Sequence, residues 1–158
     1  MPKGILVSSC LIGKNCSYDG GARTDIKVFG LCERFDCVDT CPELEGGLGC
    51  PREIHEISGG NGDDVLEGRA RVMSFSGADR TGNFIEGAES ALKKALENQI
   101  SVAIMKSKSP SCGKYKIYSG KFDKTLRDGC GVTTALLCRN GIKVFTEKEI
   151  KAVREELR

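Results

Sequence analysis

The sequence predicts an α/β fold, a single Rossmann-like three-layer domain over residues 1–158 with a mostly parallel sheet. Three observations carry that prediction. Short apolar runs alternate with helix-like stretches along the chain, the pattern of repeated βα units. The length of 158 residues suits one domain with a sizeable core, and no linker, repeat or low-complexity segment divides it. Hydrophobic content of 39% and charged content of 29% are those of an ordinary globular chain.

In chain order, residues 5–7 (Ile-Leu-Val) form the first expected strand, running into Ser8-Ser9-Cys10. A helix is expected over 24–35, with Ile26, Phe29 and Cys32 or Phe35 on its inner face. Residues 37–40 form a second strand that leads into Cys41-Pro42-Glu43, then a Gly-rich loop at 46–49 and another at 59–62. A further strand is expected near 72–75. The clearest helix spans 81–98, where Phe84, Ala88, Ala91, Leu92, Ala95 and Leu96 recur at three- and four-residue steps. Strand 102–105 follows directly. Residues 132–139 read as a helix stopped by Asn140-Gly141, and 142–145 as a short strand. Thr146-Glu147-Lys148-Glu149 reads as a capping box opening a last helix that buries Ile150, Val153 and Leu157.

Charge and hydropathy narrow the function classes. The 24 basic and 22 acidic residues leave a net charge of +2, which gives no sign of a dedicated nucleic-acid surface. No apolar run is long enough to cross a bilayer, and the start MPKGILVSSC lacks the long apolar region of a signal peptide. The chain therefore reads as cytoplasmic, with no membrane partner.

Nine cysteines stand out, at positions 10, 16, 32, 37, 41, 50, 112, 130 and 138. An odd count at irregular spacing, with a core of adequate size and no secretion signal, argues against a disulfide framework and for metal or thiol chemistry. Cys10, Cys41 and Cys112 each fall just after an expected strand. In parallel sheets the loops beyond the carboxyl ends of the strands line the ligand crevice, so three thiols distant in sequence are placed to converge there. Three thiolates suit a soft metal or an iron–sulfur cluster. Held by three cysteines, a cubane keeps one iron open to act as a Lewis acid. Other arrangements stay open: a four-cysteine zinc knuckle from Cys32, Cys37, Cys41 and Cys50, a redox module, or a carrier of persulfide sulfur. Cys130 and Cys138 read as packing residues, and His55, the one histidine, as exposed in a charged stretch.

The stretches SSCLIGKNCSYDGG, CPELEGG, SKSPSCG and GVTTALL, spread in that order over residues 8–137, resemble the four signature blocks of the 2-thiouracil desulfurase family. The resemblance implies a 4Fe-4S cluster ligated by Cys10, Cys41 and Cys112, whose unique iron binds the sulfur of a small thiolated pyrimidine. It implies Glu43 of CPE as the catalytic acid–base and Ser109 of SPSC as the catalytic serine. The reaction would be non-redox hydrolysis of C=S, 2-thiouracil going to uracil and sulfide. An alternative substrate is thiouridine within tRNA. Two departures are visible: Ser17 stands where the family often has Arg, and Gly49-Cys50-Pro51-Arg52 replaces the usual Pro-Thr-Pro-Arg, so Cys50 is not a family ligand.

Around these residues the chain offers substrate contacts. Ser9, Ser111, Ser8 and Gly113 flank the expected ligands, Lys14 lies in the first loop, and Tyr18 has a ring suited to stacking on a pyrimidine. Cys16 is read as an outer thiol, a sulfur relay or a spectator. Lys106, Lys108, Lys114 and Lys116 bracket Cys112 and read as a solvated lysine-rich loop or as cations for an anionic substrate such as a nucleotide or a stretch of tRNA.

Overall fold

A computed structural model describes residues 4–158. Its centre is a four-stranded parallel sheet in the order β2-β1-β5-β8, from β1 (Ile5–Ser8), β2 (Cys37–Thr40), β5 (Val102–Met105) and β8 (Lys143–Thr146). The strands are short, and the central ones are apolar along their length; Ile5, Leu6 and Val7 are fully buried. Because side chains alternate across a strand, Ile5 and Val7 face one layer and Leu6 the other. The first layer holds α1 (Ile26–Cys32) and α6 (Ile150–Glu156); the second holds α4 (Thr81–Glu97) and α5 (Val132–Arg139). The three-layer expectation is met.

Two antiparallel ribbons extend this sandwich. One pairs β3 (His55–Ser58) with β4 (Arg71–Ser74) around α3 (Gly62–Leu66), and the other pairs β6 (Lys116–Tyr118) with β7 (Leu126–Asp128). Ile57, Val72 and Ile117 pack with Phe84 and Ala88 of α4 in a separate apolar cluster. The Glu56 carboxylate then joins the ribbons by accepting the Gly120 and Phe122 amide protons at 2.8 and 3.2 Å.

Local chemistry explains the element ends. Asp25 caps α1 through the amides of Lys27 and Val28. Residues Pro42–Glu45 form α2, with Pro42 in its first turn, where a missing amide proton costs nothing. Gly87 brings α4 against α2 so closely that a methyl group there would overlap the Pro42 carbonyl.

Several expectations are corrected. Helix α1 is seven residues long and buries Val28 and Leu31; Ile26 and Phe29 face outward. Leu96 of α4 is also exposed. The capping box is half formed: Glu149 accepts the Thr146 amide, while the Thr146 hydroxyl accepts from Lys148. Cys32 and Cys37 are bonded to each other, tying the end of α1 to the start of β2. That pairing removes two ligands of the zinc knuckle. His55 is buried rather than exposed, and Cys138 is exposed rather than packed. Among the described residues, no helix is long and apolar enough to cross a membrane.

Candidate active site

The sheet brings the three predicted thiols together. Cys10 follows β1 in a 3-10 turn (Ser9–Ile12), Cys41 follows β2 at the N-cap of α2, and Cys112 lies in the loop after β5. β2, β1 and β5 are adjacent and parallel, so all three residues emerge at the same carboxyl edge. All three are free thiols, and all three line one cavity of about 580 Å³. Among the described residues, no three His, Cys, Asp or Glu side chains close on a single point as one ion would need. Thiols arrayed around a cavity suit a polynuclear group, in which each thiolate holds a different iron.

A fourth thiol, Cys16, is buried between two of them. The Cys41 Sγ lies 3.7 Å from the Cys16 carbonyl, and the Cys16 thiol beside Cys10 and Cys41 lowers both of their pKa values, that of Cys41 to about 7. The Cys16 thiol itself is pushed strongly upward by those same neighbours. Burial raises the Cys112 thiol, with the Glu43, Cys10 and Cys41 charges adding to it.

Glu43 stands in the first turn of α2, two residues from Cys41. Its Oε2 accepts from Arg52 Nε at 2.9 Å, and the Ser109 hydroxyl approaches Oε1 at 3.4 Å. Arg52 is a buried clamp whose other donors go to the Gly49 and Cys16 carbonyls at 3.0 and 2.9 Å. Burial alone would depress the guanidinium's pKa; the Glu43 charge and hydrogen bond, with the Cys41 and Cys50 sulfurs, together reverse this. Ser109 Oγ also accepts the Ser111 and Cys112 amides, each at 3.0 Å, which tightens the turn that presents Cys112.

Other predicted contacts divide. Ser8, Ser9 and Tyr18 line the cavity, and Ser9 donates to Asp39 at 2.6 Å. Lys14 is outside the lining, paired with Asp39 at 2.7 Å. Ser111 is wholly buried, its hydroxyl 2.7 Å from that of Thr133. Of the four lysines, Lys106 and Lys108 reach the cavity; Lys114 pairs with Glu149 and Lys116 with Asp128. Cys50 is exposed, its sulfur 3.3 and 3.4 Å from the Asn15 and Ser17 carbonyls on either side of Cys16.

The ribbons supply a side of the cavity that the sequence reading missed: Ile54, His55, Phe75, Phe122 and Lys124. The Phe75 and Phe122 rings meet edge to face at 5.7 Å. The Arg52 signal was visible in the Pro51-Arg52 pair; the others carry no local signature.

The chain is similar to known proteins in family profile, sequence and fold. The profile of the 2-thiouracil desulfurase family matches residues 5–149. The uncharacterized protein YbbK of Bacillus subtilis is 44% identical over 149 residues, 94% of this chain and 99% of that protein. The solved structure of TudS, a [4Fe-4S]-dependent thiouracil desulfidase, is similar with a TM-score of 0.86 and 37% identity, over 98% of this chain and 97% of that one.

Proposed function

This chain belongs to the 2-thiouracil desulfurase family, and we propose that it hydrolyses the C=S bond of a thiolated pyrimidine, 2-thiouracil giving uracil and sulfide, with a 4Fe-4S cluster held by Cys10, Cys41 and Cys112. The observation that carries this reading is the convergence of those three free thiols on one cavity beside Glu43 and Ser109. The donor set fits the group: three soft ligands, with the fourth thiol, Cys16, engaged to Cys10 and Cys41. When bound, the cluster supplies a thiophilic Lewis acid that polarises the C=S carbon.

The protein's own residues supply the rest. Glu43 takes a proton from the attacking water and returns it to the departing sulfur. Arg52 fixes one carboxylate oxygen, so the other is aimed toward Ser109 and the cavity. The Ser109 hydroxyl orients the water or steadies the oxyanion that forms on carbon. Water adds, sulfide leaves, and no electrons are exchanged.

A second reading is favoured by the cavity's size and mouth. Tyr18, Phe75 and Phe122 with Arg23, Lys108 and Lys124 extend beyond what a free base would fill. A thiolated nucleotide, or thiouridine within tRNA, would use the aromatic faces and the cations together.

Anaerobic reconstitution tests both readings. About four irons per chain are expected, with sulfide released from 2-thiouracil. Glu43→Gln should keep the iron and lower kcat by about 10²- to 10³-fold. Full activity in iron-loaded Glu43→Gln removes Glu43 from the mechanism; a colourless protein with one zinc supports a structural module instead. Parallel assays on thiolated nucleotide and tRNA separate the substrates.

A further inference from the structure

We infer that His55 is a further substrate-binding residue, its imidazole hydrogen-bonding an edge of the pyrimidine other than the one that bears the sulfur. The inference rests on the function proposed above and assigns a lining residue of the same cavity.

The starting point is an unmet hydrogen bond. His55 is 7% exposed, and its buried Nδ1 makes no well-formed hydrogen bond, although the Glu53 backbone carbonyl lies close enough to raise the ring's pKa. Among the described residues, no other buried side-chain nitrogen or oxygen is left so. Buried polar groups are ordinarily partnered, so an exception beside a cavity points to a ligand. His55 also lines the cavity that holds Cys10, Cys41, Cys112 and Glu43. The ring is steadied by Phe84, its centroid 5.5 Å away at a tilt of 55°.

Its polar neighbours are already committed. The Glu56 carboxylate holds the Gly120 and Phe122 amides. Glu53 holds the Ser76 amide and hydroxyl, each at 3.0 Å. Arg52 is spent on Glu43 and two carbonyls. Ile54, Phe75 and Phe122 offer only apolar surface on this side. The imidazole, with the Tyr118 hydroxyl and the Lys124 ammonium, is among the uncommitted polar groups that remain on this side.

Its chemistry matches the ligand. Burial lowers the His55 pKa, the Glu43 charge opposing, so the neutral ring carries one N–H donor and one acceptor nitrogen. A pyrimidine presents N–H and C=O groups side by side around its ring. A neutral imidazole can accept from the first or donate to the second. With the sulfur anchored at the thiols, a contact at another edge fixes the ring's rotation in its plane. That would orient the C=S carbon toward Glu43.

The single histidine makes the test unambiguous. In the cluster-loaded, ¹⁵N-labelled protein, all imidazole nitrogen signals come from His55. Titration with uracil should shift them saturably. In the same protein His55→Phe should raise KM for 2-thiouracil about threefold to tenfold, the loss of one hydrogen bond, with kcat changed less than KM. His55→Gln, which keeps a donor and an acceptor, should recover part of that loss. Imidazole signals unmoved by saturating uracil in a wild-type enzyme that releases sulfide overturn this inference alone. Absence of sulfide release by the wild-type protein overturns the functional reading and this inference with it.

Discussion

The two sides of the cavity are built by different rules. The thiol side grows from the ends of three adjacent parallel strands, each hydrogen-bonded into the sheet. Its Cys112 loop is tied down again from α5: the Thr134 hydroxyl donates to the Cys112 carbonyl at 2.7 Å, and the Gly131 amide to that of Gly113 at 2.8 Å. The other side hangs on two short ribbons, joined to the sandwich through Phe84 and Ala88 and to each other through the Glu56 carboxylate. Phe75 and Ile54 there are 68% and 44% exposed. On the function proposed, the contrast teaches that the groups assigned to bond chemistry are placed by the sheet itself, whereas those assigned to hold the substrate sit on ribbons attached to it. Reacting groups lose rate when displaced by an ångström; a stacking surface tolerates more.

The comparison can be broken most severely through the packing under the thiol side. Gly87→Ala would drive α4 off α2, the segment that carries Cys41 and Glu43. Helix propensity favours alanine by about 1 kcal/mol, but overlap with a backbone carbonyl outweighs it. A net destabilisation of about 2–3 kcal/mol is expected in urea unfolding, with iron retention impaired. A gain in stability would show that the two helices are not locked together.

Glu45 offers a milder probe of the same side. Its carboxylate accepts from Thr40, the Cys41 amide, Ser90 and Lys94, buckling α2 to β2 and α4. Burial raises its pKa, but these partners win and hold it below the usual carboxylate range. A depressed folded-state pKa contributes stability above the unfolded value that disappears as pH falls through the folded one. Glu45→Gln should therefore cost about 1 kcal/mol at neutral pH, Lys94 being partly solvated. The gap to wild type should close on acidification; a gap constant with pH would contradict the assignment.

The smallest effect belongs to the ribbon side. Phe75→Ala should leave stability within about 0.5 kcal/mol, since the ring is mostly exposed. It should raise KM for a thiolated nucleotide about fivefold, as loss of one stacking face implies, while KM for 2-thiouracil stays unchanged. Equal changes for both substrates would place the ring's role at the base.

The same division governs what could be read from the sequence. Strands β1, β2 and β5 are compact runs with Cys10, Cys41 and Cys112 in the loops that follow them, so the sheet's carboxyl edge was legible. The ribbons were not. β6 and β7 span three residues each, and Leu-Arg-Asp of β7 is wholly exposed, leaving no alternation to detect. β3 was hidden by its charge: His55 and Glu56 read as a solvated stretch, yet Glu56 is buried because it accepts two amides from a turn some 64 residues away. The inner face of α1 was misread because seven residues hold too few turns to distinguish Ile26 and Phe29 from Val28 and Leu31. Nor does spacing reveal that Cys32 and Cys37 meet across a helix–strand turn.

The central claim is most directly tested by an anomalous-difference map recorded at the iron edge from crystals of the anaerobically reconstituted protein. The account predicts iron density inside the cavity, within bonding distance of the Cys10, Cys41 and Cys112 sulfurs and with one iron free of protein thiolate. Iron bound through Cys16 or Cys50 in place of any of those three, or a full complement of four cysteine ligands, would contradict it.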